Sequence, residues 1–233
     1  MLNPIDYSIS KFVTFSTEDT LSQIRSLTKA KLYKKGDTIE TRGDKVDHIY
    51  LIEDGLVQLG INGVDGSRFN LSRLGPGHTF GETAYFLKNN VMYDANAGSD
   101  AIIRKLSGAN INHLIATSPI FSKALMAVSA MRVQTTLSHI ADTLSLPLEA
   151  RLAKLILSVS QSIGNKNIIL VRQVDFAHSL GVSRVSIGKA IKSLAAKDVI
   201  KIGYGKLTIL DRPALNSLIK KAERSNLKLY QGS

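Results

Sequence analysis

The chain has 233 residues, of which 44% are hydrophobic and 21% charged, with a formal net charge of +11 and no cysteine. Its length suits one large domain or two small ones, and its composition is that of an ordinary globular protein. The absence of thiols excludes disulfides, thiolate metal sites and thiolate-held iron–sulfur clusters.

No uninterrupted apolar run reaches membrane-spanning length, and the N-terminus lacks a basic-then-apolar signal pattern. The expected location is therefore the cytoplasm, with no membrane partner. The charge is unevenly spread. Residues 1–150 carry 15 Lys/Arg against 15 Asp/Glu, whereas residues 151–233 carry 15 against 4. A neutral part joined to a strongly basic one points to nucleic acid. A membrane-surface helix would want aromatics bordering its basic face, and the chain has no Trp.

Residues 1–15 give little signal. Ser16 or Thr17 is the candidate cap of a short helix reaching Leu27, with Leu21, Ile24 and Leu27 inward. From Ala30 the period shortens. Segments rich in Ile, Leu, Val and Tyr predict strands over 30–33, 38–41, 48–53, 56–61, 68–74 and 101–106. Turn signals separate them: Lys35-Gly36-Asp37, Arg42-Gly43-Asp44, Asp54-Gly55, Asn62-Gly63, Asp65-Gly66 and Gly75-Pro76-Gly77. Many short strands at regular spacing predict an antiparallel β-roll or jelly roll over 1–118, within an α+β fold class.

The helical period then returns. A short helix is expected over 108–116. Ser118-Pro119 starts a long one, with Ser as cap and Pro at the first helical position, running to about Leu144. Phe121, Leu125 and Val128 form one apolar stripe; Ala124, Ala127, Ala130 and Met131 form another; Val133, Leu137 and Ile140 continue the surface. A helix apolar over most of its circumference buries more than one face. One face is assigned to its own roll and the other to the same helix of a second copy, because the alanines permit close approach. A core helix within a monomer is the other reading. Asp142 to Pro147 is a candidate hinge, since Pro147 disfavours helix at Leu146. These signals divide the chain into a roll over 1–118, a dimerisation helix and hinge over 119–146, and a DNA-binding domain over 147–233.

A helix over 148–163 follows, with Leu152, Leu155, Ile156 and Val159 inward, and Gly164-Asn165 ends it. A short strand is expected over 167–171. From Gln173 to Leu194 the pattern is that of two helices around a tight turn. Val174, Ala177 and Leu180 face inward on the first. Gly181 ends it, Val182 plugs the turn and Ser183 caps the second. Ile187, Ala190, Ile191 and Leu194 make the second buried stripe, while Arg184, Val185, Ser186, Lys189 and Lys192 lie opposite. This is a helix-turn-helix whose second helix, about 183–195, suits the major groove. An ordinary helical hairpin with a solvated basic face is the plainer reading, and the basic context favours DNA. Strands over 199–202 and 207–210, joined by Gly203-Tyr204-Gly205, form a wing. Asp211 caps a last helix, with Pro213 in its first turn, reaching about Arg224.

A roll, a long helix and a winged helix-turn-helix in that order resemble the Crp/Fnr family of bacterial transcription regulators, named for the cyclic-AMP receptor protein. The resemblance spans about residues 20–215. Its markers are Gly75-Pro76-Gly77 leading to Phe80-Gly81-Glu82-Thr83, the Ser118-Pro119 helix start, and Gly181-Val182-Ser183-Arg184-Val185-Ser186-Ile187-Gly188-Lys189. It implies a cyclic-nucleotide-binding-domain-like roll and a homodimer with an effector pocket in each roll. It also implies two recognition helices reading a palindromic site in double-stranded DNA, with RNA polymerase as a further partner.

The pocket departs from the family pattern. Gly81 and Glu82 match the pair that contacts ribose and phosphate, and Thr83 follows them. Met92 and Tyr93 stand where an Arg-Ser pair holds the cyclic phosphate. Thr136 matches the adenine-contacting Thr of the long helix, but Leu137 replaces the Ser that follows it. A buried phosphate without a cationic partner loses the bonds that offset its desolvation, so cyclic AMP is not the expected effector. Glu82 either contacts a ligand or accepts backbone amides at the turn. Haem is not expected either. His48, His78, His113, His139 and His178 are scattered, and only His78, in the Gly-Pro-Gly region, merits a test.

On the DNA side the resemblance puts Arg184 at the guanine-reading position and Lys189 at that of a second basic reader. Val185 stands where relatives carry a Glu that accepts from cytosine; Val touches only a thymine methyl. Ser183, Ser186, Gln173 and Lys206 are expected phosphate contacts. Two other classes compete. One is a cyclic-nucleotide- or other small-ligand-binding regulatory protein whose roll is the main active part, which the basic C-terminal part argues against. The other is a cupin-like metalloenzyme, which would need a His-x-His pair that the sequence lacks. No nucleophile–base spacing stands out, and no catalysis is expected.

Overall fold

The computed structural model describes residues 11–62 and 68–231. The turn signals at Gly63 and Asp65-Gly66 lie outside the described residues. Two compact units divide the chain, one ending at Val133 and the other starting at Gln134.

The first unit opens with helices α1 (Phe12–Phe15) and α2 (Glu18–Leu27). Thr17 rather than Ser16 caps α2, its hydroxyl accepting from the Thr20 amide at 3.3 Å. The inward face also differs from the predicted one. Thr20 and Ile24 are buried and Leu27 is 38% exposed, because the Thr20 hydroxyl meets Ser118 Oγ at 3.2 Å and turns that side inward.

Eight strands follow: β1 (Ala30–Tyr33), β2 (Thr38–Glu40), β3 (His48–Asp54), β4 (Val57–Asn62), β5 (Arg68–Leu74), β6 (Thr79–Phe80), β7 (Asp94–Ala97) and β8 (Ala101–Ser107). Helix α3 (Glu82–Leu87) lies between β6 and β7. The strands form two antiparallel four-stranded sheets, ordered β1-β8-β3-β6 and β2-β7-β4-β5. Six strands sit within two residues of expectation, and β6, β7, α1 and α3 are additional. None of these four has a readable period. α3 is less than two turns long, and β7 reads Asp-Ala-Asn-Ala, a poor strand former held by pairing with β2 and β4 on both sides.

Strand β3 organises this unit, since alternate residues serve different cores. Tyr50 and Ile52 join Val57, Leu59, Leu74, Phe80, Ala95 and Ile103 between the sheets. Ile49 and Leu51 face the helices, packing with Leu106, Ile111, Leu114, Phe121 and Leu125. The helices there are α4 (Gly108–Thr117) and the start of α5 (Pro119–Ser145). Ser118 caps α5 as expected, its hydroxyl accepting from the Phe121 amide at 3.4 Å. The inward residues of α5 are Phe121, Ala124, Leu125 and Val128. The long helix crosses the unit boundary and does not form a unit of its own.

The second unit holds the end of α5, then α6 (Leu148–Ser162), β9 (Ile168–Leu170), α7 (Gln173–Leu180), α8 (Arg184–Ala196), β10 (Ile200–Gly203), β11 (Lys206–Ile209) and α9 (Arg212–Gln231). Its core joins Leu152, Ile156 and Val159 of α6 to Phe176, Ile187, Ile191, Leu194, Leu207 and Leu215. The small sheet is ordered β10-β11-β9 and is antiparallel throughout. Asp211 Oδ1 accepts from the Ala214 amide at 2.8 Å at the start of α9, as a cap should. The helix continues to Gln231, past the expected end near Arg224.

Candidate nucleic-acid interface and roll interior

The helix pair is fixed by local bonds. At the start of α7, Asp175 Oδ2 accepts from the Arg172 amide at 3.0 Å and from its Nε at 3.1 Å, while Oδ1 accepts from Nη2 at 2.9 Å. Gly181 adopts φ +64° after Leu180, and the Val182 amide donates back to the Ala177 carbonyl at 3.1 Å. A left-handed residue with that bond ends a helix at low strain. Ser183 then caps α8, accepting from the Ser186 amide at 3.1 Å, and the two hydroxyls lie 2.9 Å apart. The inward face of α7 is rotated from the predicted one. Asp175, Phe176 and Ala177 are buried, whereas Val174 and Leu180 are half-buried. The large Phe176 ring wins the interior over Val174.

On α8 the buried stripe is Ile187, Ala190, Ile191 and Leu194, as the spacing predicts. Arg184, Lys189 and Lys192 are exposed, Val185 is 69% exposed and Ser186 is half-buried. The exposed apolar Val185 among cations has no role in the fold's own packing. Gln173, Arg184 and Lys206 line one cleft of about 490 Å³ between the helix pair and the wing, with Arg172 and Tyr204. Ser186 and Lys189 line a separate groove with Ser145, Pro147, Glu149 and Lys221. Arg172 and Tyr204 escaped the sequence reading. Their signal was an Arg directly before the first helix and an aromatic at the wing tip.

In the roll, Gly81 adopts φ +95° at the start of α3, and a Cβ there would lie 3.2 Å from the His48 carbonyl. Its amide donates to the Tyr93 hydroxyl at 3.3 Å. Burial, then the Glu82 charge, pushes the Tyr93 hydroxyl well above its ordinary pKa. Glu82 is buried, and its Oε2 accepts from Arg132 Nη1 at 2.7 Å. Arg132 Nη2 also donates to the Thr79 carbonyl at 2.5 Å. The reading of Glu82 as an acceptor of backbone amides is thus corrected, since its partner is a guanidinium on the long helix. Glu82 Oε1 and Thr79 Oγ1 are buried without a partner.

Thr83 and Met92 are exposed, so Gly81, Glu82 and Tyr93 make the contacts among the roll candidates. Thr136 and Leu137 are also exposed and lie beyond Val133, in the other unit. Arg132 is not legible at the family spacing of about ten residues past Glu82, because it lies on the long helix. It lies one helical turn before Thr136, on the same helix face, and that spacing was its available signal.

The buried histidines have local partners. His78 Nδ1 is 2.9 Å from the Gly75 carbonyl. His48 lies between Glu40, 2.8 Å from Nε2, and Asp47, 3.0 Å from Nδ1. Among the described residues no cluster of three or more His, Asp or Glu is arranged to hold a metal. No single helix among them is long and apolar enough to cross a membrane.

Comparison with known proteins agrees with this geometry. The family model for the cyclic nucleotide-binding domain matches residues 30–118, and that for the Crp-like helix-turn-helix domain matches residues 150–218. A CRP-like cAMP-activated global transcriptional regulator of Mycobacterium tuberculosis is 27% identical over 203 residues, covering 83% of this chain and 91% of the relative. The cyclic AMP receptor protein of Thermus thermophilus is 27% identical over 190 residues, covering 81% and 87%. A solved CRP/FNR-family transcriptional regulator from Thermus thermophilus superposes with a TM-score of 0.64 at 25% identity, over 82% of this chain and 98% of that one. With both domain families matched in this order, the chain belongs to the Crp/Fnr family.

Proposed function

We propose that the protein is a homodimeric transcription regulator that reads a palindromic site in double-stranded DNA with α8. The observation that carries this reading is the seating of α8. Its apolar stripe is buried while Arg184, Val185, Lys189 and Lys192 are exposed, in the part of the chain that holds the whole excess of positive charge. Arg184 reads guanine, Val185 meets a thymine methyl, and Lys189 adds a second base or phosphate contact. Ser183, Ser186, Gln173 and Lys206 hold phosphates. RNA polymerase is the natural further partner of such a regulator, and the cytoplasm its location. The protein carries out no catalysis.

The dimer reading rests on α5. Met126, Val133, Leu137, Ile140 and Leu144 are between 51% and 79% exposed. Their successive steps of seven, four, three and four residues make the apolar seam of a two-stranded coiled coil. Cyclic AMP is not the effector in this reading. The Tyr93 hydroxyl already accepts from the Gly81 amide, and Arg132 already neutralises Glu82. A small ligand of another kind is the second reading, favoured by the unpartnered Glu82 Oε1 and Thr79 Oγ1, which would take hydroxyl or amine donors.

Selection from a random duplex library on the purified, effector-free protein tests the main reading. A two-fold-symmetric site with half-sites about one helical turn apart is the expected result. Failure to select any site, with and without cell-extract small molecules, overturns it. Thermal-shift titration with cyclic AMP should leave the melting temperature unchanged, and a saturable rise would overturn the effector reading.

A further inference from the structure

We propose that α9 is a further DNA-gripping element, in which Lys221, with Arg224 on the same helix face, binds phosphates of the backbone strand on the side of α8 away from the wing. The proposal rests on the DNA-binding reading above. It adds a contact that neither the helix pair nor the wing supplies.

Helix α8 has two flanks. On one, Arg184 lines the cleft shared with the wing. On the other, Ser186 and Lys189 line a groove of about 950 Å³ whose far wall is α9, through Leu218 and Lys221. All of these residues belong to one compact unit. Leu215 and Ile219 anchor α9 in the core of that unit, which fixes the side that Leu218 and Lys221 present to the groove. Lys220, Lys221 and Arg224 are exposed. Lys221 and Arg224 are three residues apart and so share a face.

The nearby acids are neutralised. Glu223 is the single acid of α9, and it lies 3.3 Å from Lys154. Glu149 also lines the groove, and it lies 2.5 Å from Lys197. Cations therefore set the sign of the groove, and Lys221 carries that sign to its outer wall.

The major groove of DNA is roughly 12 Å wide and has a backbone strand along each side of a helix lying in it. The wing cleft takes one strand, and the groove beside α9 faces the other. The sequence pattern predicted α9 as a closing helix without a role. The Crp-like helix-turn-helix model matches residues 150–218, so Lys221 and Arg224 lie past the part shared with that model. Phosphate contacts carry no base information. The extension of α9 therefore adds affinity and leaves the preferred sequence unchanged.

The test measures affinity of the full-length protein for its selected duplex across a salt series. The variants are Lys221→Met, Lys221→Arg, Lys221→Met with Arg224→Met, and Lys35→Met, which removes an equal charge from an exposed position in the other unit. Lys221→Met should weaken binding roughly tenfold at about 0.15 M salt and lower the salt slope by about two, one for each protomer. The double variant should roughly double the change in slope. Lys221→Arg and Lys35→Met should bind like wild type. The loss should be equal on single-base variants of the site, and melting curves should coincide. Duplexes with one neutral methylphosphonate linkage then place the contact. Linkages that matter to wild type but not to Lys221→Met should lie on the strand opposite those silenced in Lys206→Ala.

Binding of Lys221→Met within about twofold of wild type, with an unchanged slope, overturns the proposal. An equal loss in Lys35→Met does so too, because it assigns the effect to net charge. So does silencing of the same linkages by Lys221→Met and Lys206→Ala. A wild type that binds no duplex would instead sink the DNA reading itself, and this proposal with it.

Discussion

At the scale of single residues, Arg184 and Lys206 line the same cleft but contribute differently. A guanidinium set bidentate against guanine discriminates between bases, whereas an ammonium on phosphate does not. Arg184→Ala should therefore cost about 1–3 kcal/mol of discrimination at one base pair, read by competition between the selected site and its single-base variants. Equal loss on every sequence would make Arg184 a phosphate contact. The Glu82–Arg132 pair gives a stability prediction. Arg132→Leu leaves a buried carboxylate unpaired, which costs about 3–5 kcal/mol in urea unfolding, while Arg132→Leu with Glu82→Leu recovers most of that loss. A single-variant cost under about 1 kcal/mol would mean that Glu82 finds another partner. The exposed cations of α8 were legible because a buried stripe at helical spacing leaves only one face for them. Arg132 was not, because its partner lies fifty residues away in sequence and the contact exists only once α5 has docked on the roll.

At the scale of elements, the caps and breakers were readable and the pairing partners were not. Ser183, Asp211 and Gly181 act locally, so their roles follow from a few neighbouring residues. Ser183→Ala should destabilise the protein by about 1 kcal/mol in chemical unfolding, the usual cost of a lost N-cap. No change would mean that water satisfies the Ser186 amide equally well. Strand β7 and the two-residue β6 are made by their neighbours and carry no pattern of their own. A second element-scale link joins Glu149 of α6 to Lys197 after α8, at 2.5 Å. The hydrogen bond from Lys197, aided by Ser193, holds the Glu149 carboxyl below its ordinary pKa. A depressed carboxyl pKa gives stability that is present above the unfolded value and lost as pH falls through the folded one. Lys197→Ala should therefore unfold more easily than wild type at neutral pH, and the two should converge as pH drops below the carboxylate range. A constant gap across that range would exclude the pair as its cause.

At the scale of the whole molecule, the division of labour was legible in charge and period alone, since the neutral strand-rich part and the basic helical part differ in both. The joint between long helix and DNA-binding part was less so. Pro147 marks the break between α5 and α6, but the ties across it are tertiary. Leu146 is 7% exposed, and Lys154 of α6 lies 2.8 Å from Asp142 of α5 and 3.3 Å from Glu223 of α9. Burial works against the Lys154 charge, yet the two carboxylates more than offset it and hold its pKa above the ordinary lysine value. One ammonium thus links the end of the long helix to both helices that flank the helix-turn-helix. Lys154→Met keeps the apolar stem and removes the charge. If this link sets how α8 is presented, Lys154→Met should change DNA affinity at least threefold while the selected sequence stays the same, because no base-reading residue is touched. The measurement is a repeat of the library selection followed by titration on the common site. Unchanged affinity would show that the link is structural only, and a changed sequence preference would show that the substitution disturbs α8 itself.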